Sequence, residues 1–196
     1  MPIQTNAVPR PSSHVRVRML CEAAIFIAIA EILGYIKLFH MPQGGSVSLM
    51  MLPILVFAFR WGWKDGLLAG LVLGVVDFML GGGFAIDWRS ILGDYVIACC
   101  LLGLAGVFAG KKWGLIPGFI LGSLGRYVSI LVTGATLWGV YMPDEFMGMT
   151  MTNPWFYSML YNIPILVSGA LAVVIGVLLY SIPGLRKYFL GQDILR

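Results

Sequence analysis

The stretch SILGDYVIACCLLGLAGVFA, residues 90–109, decides the fold. Its side chains are apolar or small almost throughout, and the only ionisable carboxylate is Asp94. At about 1.5 Å per residue a helix of this length reaches about 30 Å, the thickness of a bilayer's hydrocarbon core. A surface helix of a soluble domain would show a polar stripe at the helical period, and here there is none. Similar apolar runs lie on either side, at roughly 19–39, 47–59, 66–80, 115–138 and 155–182. The run at 47–59 is short and contains Pro53. Composition agrees: 59% of the 196 residues are hydrophobic, 11% are charged, and mean hydropathy is +0.90. An average soluble domain carries about 25% charged residues. The sequence predicts an all-α membrane protein, a compact bundle of six transmembrane helices.

Loop charge sets the expected topology and favours counting the short run as a span. With six helices, Arg10, Arg16, Arg18, Arg60, Lys64, Lys111, Lys112, Arg186, Lys187 and Arg196 fall on one side. Lys37 and Arg89, with Asp87, Asp144 and Glu145, fall on the other. Basic residues concentrate on the cytoplasmic side, so both termini are expected there. Residues 1–17 read as a cytoplasmic segment, 18–185 as the six-helix substrate-binding domain, and 186–196 as a cytoplasmic tail. The first apolar run is long enough to stay as a helix, so no removable signal peptide is expected. The net charge of +4 does not imply nucleic acid, because the basic residues sit between apolar runs. Cys21, Cys99 and Cys100 lie inside apolar segments and read as small buried residues without a disulfide role.

Small residues recur every fourth position. Gly66, Gly70 and Gly74 form one ridge, Gly106 and Gly110 a second, Gly118 and Gly122 a third. Such ridges let helices approach closely in lipid, and packing within the bundle is the expected use. Ala24 and Ala28 make a similar patch on the first helix, where an external partner is expected.

Ionisable groups within the apolar runs are functional candidates, since each costs several kcal/mol (about 2.5–3.5 for an acid at mid-bilayer) unless paired or hydrated. They are Glu22, Glu31, Asp77, Asp94 and Arg126. Counting along each helix puts all but Glu22 in the outer half of the membrane. Phe84, Trp88, Tyr95, Trp138, Tyr141, Trp155, Tyr157, Tyr161 and Asn162 gather at the same level. An interfacial aromatic belt accounts for several of these, and an Asp94–Arg126 ion pair is the competing structural reading of the charges. A pocket open to the outside, walled by aromatics and floored by an acid and an amide, accounts for the whole set. It suits a flat, cationic or amine-bearing ligand, because aromatic faces attract cations and a carboxylate accepts amine hydrogen bonds. The sequence offers no phosphate-binding loop, metal-ligand cluster, cofactor motif or nucleophile–base pairing. Catalysis is therefore not expected, and concentrative uptake would need a partner or an ion gradient.

Five segments carry a family resemblance: 41–53 (MPQGGSVSLMMLP), 59–62 (FRWG), 93–95 (GDY), 122–127 (GSLGRY) and 155–162 (WFYSMLYN). The chain resembles the thiamine-specific substrate-binding (S) components of energy-coupling factor vitamin transporters. The resemblance implies six helices, capture of the vitamin from outside with high affinity, and docking on a shared membrane subunit driven by two ATPases in a bacterial plasma membrane. It implies substrate-binding roles for Asp94, Tyr95, Trp138, Tyr157, Asn162 and the loop aromatic Phe84, with Arg126, Ile130 and Gly134 completing the site. Trp138 would stack on the thiazolium ring, and Tyr157 and Asn162 would lie near the aminopyrimidine. Ala24 and Ala28 would contact the shared subunit.

One position departs from the pattern. The family's histidine on the fifth helix falls at Ile130, four residues after Arg126, and a serine position reads Thr133. Loss of an imidazole removes a ligand hydrogen bond, so a thiamine precursor or analogue is an alternative ligand. A non-transport membrane scaffold, using the glycine ridges to hold a partner, is the alternative from another class.

Overall fold

The computed structural model describes residues 13–40, 45–81 and 83–193. Arg10, residues 41–44 of the first quoted segment, and Arg196 lie outside the described residues. Helix α1 spans Ser13–Tyr35, α2 Met51–Trp61 and α3 Trp63–Leu80. Helix α4 runs Trp88–Phe108, α5 Leu115–Thr136, α6 Pro154–Ser181 and a short α7 Pro183–Phe189. Among the described residues, α4, α5 and α6 are long and apolar enough to cross a membrane by length and composition alone. Helix α2 is apolar but only 11 residues long, while α1 and α3 carry more ionisable groups.

The bundle is built around α2. Ten of its eleven residues, Met51–Arg60, are buried, with Ile54, Leu55, Phe57, Ala58 and Phe59 fully enclosed. A helix that is apolar on every face is stable only when surrounded, which explains how so short a run persists at the centre of the fold. The glycine ridges serve this packing. A Cβ on Gly66 would meet Ala58 and Gly103, and Cβ atoms on Gly70 and Gly74 would strike the backbone of Cys99 and of Tyr95–Val96. Gly118 and Gly122 approach the Ala105 and Leu102 carbonyls in the same way, at 2.6 and 2.7 Å from a built Cβ. Gly110 does not belong to a ridge: it sits in the α4–α5 turn at φ +74°, a conformation that glycine adopts without strain.

Several boundaries differ from the hydropathy reading. Helix α1 is already helical at Ser13, well before Met19, and ends at Tyr35, because Phe39–His40 pairs antiparallel with Ser46–Val47. Residue Val47 is therefore strand, not the start of α2. Trp138 falls beyond α5, in a 3₁₀ turn over Trp138–Tyr141. The segment after residue 182 folds back as α7, held by an ion network at one end of the bundle. The buried Arg60 guanidinium donates to Glu22 Oε2 at 2.7 Å, to Asp193 Oδ1 at 2.7 Å, and to the Tyr188 carbonyl. It also lies 3.8 Å over the Tyr188 ring centroid. Arg18 binds both acids, and Trp61 Nε1 and the Tyr188 hydroxyl donate to Glu22. Glu22, expected near an interface, thus anchors that end of the fold. Ala24 and Ala28 are exposed on α1 beside Ile25 and Ile29, while Phe26, Ile27 and Ala30 face the core.

Candidate functional site

At the opposite end of the bundle, α4, α5 and α6 diverge around a cavity of about 340 Å³. Its wall includes Phe84, Asp94, Tyr95, Ile130, Gly134, Trp138, Tyr157 and Asn162. Tyr141, Ser158 and Tyr161 complete it.

Asp94 and Tyr95 reach the cavity from an irregular part of α4. Residues Ile91–Ile97 form a π-helical turn, which inserts an extra residue per turn and shifts the side chains that follow. Just before Asp94, α4 and α5 touch: Ser129 Oγ donates to the Gly93 carbonyl at 2.8 Å, and a Cβ on Gly93 would collide with Thr133. The Thr133 hydroxyl itself is turned to the Ser129 carbonyl, at 2.9 Å. Asp94 Oδ2 accepts the indole N–H of Trp138 at 2.8 Å. Its other oxygen, Oδ1, is buried without a hydrogen-bond partner. An unpartnered buried acceptor costs about 1–3 kcal/mol, so the carboxylate gains from any small shift that brings a donor to this oxygen.

Aromatic rings form the sides. Phe84 stacks on Trp138 at 5.3 Å and 27°, and Tyr141 leans on the same indole at 6.2 Å. Phe84 is 75% exposed, so it covers the indole from the solvent side. Tyr157 and Tyr161 lie 5.7 Å apart and both pack on Phe146, a buried residue of the hairpin pairing Glu145–Phe146 with Met149–Thr150.

The floor comes from a break in α6. Pro164 has no N–H to offer the Leu160 carbonyl, and the helix divides into Pro154–Tyr161 and Ile163–Ser181 with Asn162 between. Asn162 is buried, and its Nδ2 donates to the Ser158 carbonyl at 2.8 Å and to Ser158 Oγ at 3.2 Å. Ser158 Oγ donates onward to the Leu131 carbonyl at 2.9 Å. These bonds fix the amide, leaving its carbonyl oxygen without a hydrogen bond among the described residues. Gly134 makes room for this pair: a Cβ there would collide with Ser158 Oγ.

Arg126 does not join this group. It lines a neighbouring cavity of about 350 Å³ together with Glu31, Lys37 and Asp77, and Tyr95 forms part of both walls. Arg126 lies one helical turn from Ile130, deeper along α5. Its Nη1 donates to Cys99 Sγ at 3.1 Å. Among the described residues no carboxylate lies within 4 Å of its guanidinium, so the Asp94–Arg126 pair weighed from the sequence does not form. Glu31 and Asp77 share the Arg126 cavity and do not line that of Asp94. Sequence reasoning missed Ser158; its position four residues before Asn162 was the available signal.

The fold and this cavity define a membrane-embedded protein with a small pocket walled by aromatic side chains and a carboxylate. Comparison with known proteins makes the class specific. Residues 20–187 match the family described as thiamine transporter protein (Thia_YuaJ), and the chain belongs to that family. Relatives include the thiamine transporter ThiT of Bacillus subtilis (strain 168), 36% identical over 86% of this chain and 93% of the relative. The thiamine transporter ThiT of Lacticaseibacillus paracasei is 32% identical over 92% and 94%. Among solved structures, ThiT from Listeria monocytogenes superposes with a TM-score of 0.74, at 26% identity over 87% of this chain and 97% of that one. The S component of a bacterial ECF transporter shares the fold at TM-score 0.57 and 20% identity, covering 85% and 95%.

Proposed function

We propose that this chain is the substrate-capture subunit for thiamine uptake in a bacterial plasma membrane. It works with a shared ECF transmembrane subunit and two ATPases, and does not itself catalyse a reaction. Residues 18–185 form the six-span domain, with both termini cytoplasmic. The observation that supports the binding role most is Asp94. One oxygen is fixed by Trp138, the other has no hydrogen-bond partner among the described residues, and the side chain lines an aromatic-walled cavity of about 340 Å³.

Each group has a task that follows from its chemistry. The Trp138 face receives the thiazolium ring, since a cation over an indole is favoured by about 0.5–2 kcal/mol depending on desolvation. The Asp94 charge compensates the same ring, and Oδ1 accepts a ligand N–H. Tyr157 and Asn162 hold the aminopyrimidine, with the Asn162 carbonyl free to accept. Tyr95 and Phe84 close the outer side: the Tyr95 hydroxyl donates to the Phe84 carbonyl at 3.3 Å. Ile130 presents an apolar surface to the cavity where the family pattern has an imidazole, and this favours a second reading, a ligand with fewer acceptors on that side. Exposed Ala24 and Ala28 offer a smooth strip of α1 for the shared subunit.

The test is calorimetric titration of the purified protein with thiamine, its phosphates, and the separate pyrimidine and thiazole halves. Thiamine should bind tightest and at one site per chain. Tighter binding of one half or of a modified ring would move the assignment to the second reading, and no binding of any would remove it.

A further inference from the structure

At the end of the bundle away from the cavity, the α4–α5 turn and α7 each set a cationic side chain over an aromatic ring, and a hydrogen bond links the two segments. Gly110, at φ +74°, turns the chain sharply, and Gly114 N–H closes the loop on the Lys111 carbonyl at 3.0 Å. Lys111 Nζ lies 5.5 Å from the Phe108 ring and 5.3 Å from the Trp113 ring. The Tyr180 hydroxyl, at the end of α6, donates to the Lys112 carbonyl at 3.0 Å and so ties this loop to the α6–α7 corner. Arg186 lies 5.1 Å over the Tyr180 ring. Lys111, Lys112, Arg186 and the neighbouring Lys187 are all exposed, and Trp113 is 65% exposed.

Among the described residues, none of Lys111, Lys112 and Arg186 has a carboxylate oxygen within 4 Å. Glu22 and Asp193, at the same end of the bundle, are engaged by Arg18 and Arg60. We propose that the Lys111–Lys112–Arg186 cluster binds the phosphate headgroup of one anionic phospholipid. The argument is charge complementarity joined to amphiphilicity. The cations meet a phosphodiester as point charges and as a planar fork, while Phe108, Trp113 and Tyr180 give the glycerol and upper acyl region an apolar surface. An acidic protein partner would match the charges but would leave those rings without a lipid-like complement. Exposed tryptophan beside lysine is also the side-chain pairing that sits stably at headgroup depth.

The experiment uses the full chain, purified gently and reconstituted in nanodiscs of phosphatidylcholine with increasing phosphatidylglycerol. Native mass spectra of the extracted protein should show one retained anionic phospholipid. Affinity for phosphatidylglycerol should fall about fivefold for each of Lys111→Gln, Lys112→Gln and Arg186→Gln, and about a hundredfold for the triple variant. Arg89→Gln, on the far face, should change nothing. Thiamine titration of every variant reports that the fold is intact, and the single variants carry the test if the triple one fails to fold. Absence of a retained anionic lipid, or equal retention by the single variants and parent, would overturn the proposal. Unchanged lipid retention with lost assembly onto the energy-coupling subunits would assign the patch to a protein partner instead.

Discussion

Asp94→Asn isolates charge from shape. In the parent, Oδ2 is held by the Trp138 indole and Oδ1 has no hydrogen-bond partner among the described residues. Asparagine keeps the volume, but its single carbonyl must serve the indole N–H, which turns the amide NH₂ toward the cavity. A ligand donor then meets a donor. The change removes one hydrogen bond to a charged group, about 1.5–3 kcal/mol, and the charge that compensates the thiazolium. Binding should weaken by about ten- to a hundredfold. Equilibrium calorimetry gives the dissociation constant, and a thermal melt without ligand checks the fold. The apo protein should melt no lower than the parent, because neutralising a buried, half-satisfied carboxylate removes a desolvation cost. A dissociation constant within about twofold of the parent would refute the reasoning that Asp94 meets the ligand.

Gly134→Val should abolish measurable thiamine binding while the protein still folds, because the new side chain displaces Ser158 and through it Asn162; calorimetry and melting separate the two effects. Ala24→Trp with Ala28→Trp should leave thiamine binding unchanged and stop uptake by cells that express the energy-coupling subunits; full uptake would place the coupling face elsewhere. The α7 latch should be acid-labile. The hydrogen bonds from Arg60 hold Asp193 down to about 2, below its ordinary value of 3.8. A depressed carboxylate stabilises the fold above its unfolded value and loses that contribution as pH falls toward the folded one. The protection factors for hydrogen exchange over Pro183–Phe189, taken against the intrinsic amide rate at each pH, should therefore be high above pH 4 and fall between pH 4 and pH 2, whereas Asp193→Asn should show low protection throughout.

Much of the lining of the candidate cavity was legible because a membrane makes polar residues conspicuous. Asp94 and Asn162 stand out in apolar runs, and helical periodicity places Ile130 and Gly134 near Trp138. The rest depends on contacts that spacing along one helix does not encode. Arg126 shares a helix with Ile130, yet it turns toward Cys99 and a different cavity. The π-helical turn at Ile91–Ile97, whose Gly93 lies close against Thr133 of α5, is a local irregularity that no hydropathy profile registers. The tail read as a plain cytoplasmic segment, because its anchor, Asp193 on Arg60, bridges 133 residues of sequence. Helix α2 is a helix over Met51–Trp61, short because it is enclosed on every side, a feature that neither its length nor the loop charge expresses.

The most direct test of the central claim is a crystal structure of the protein grown with thiamine. Thiamine should lie between Phe84, Trp138 and Tyr157, with its thiazolium on the Trp138 indole and a ligand nitrogen within hydrogen-bond distance of the Asp94 carboxylate. Thiamine seated instead among Glu31, Asp77 and Arg126, with the Asp94 cavity empty, would contradict that claim.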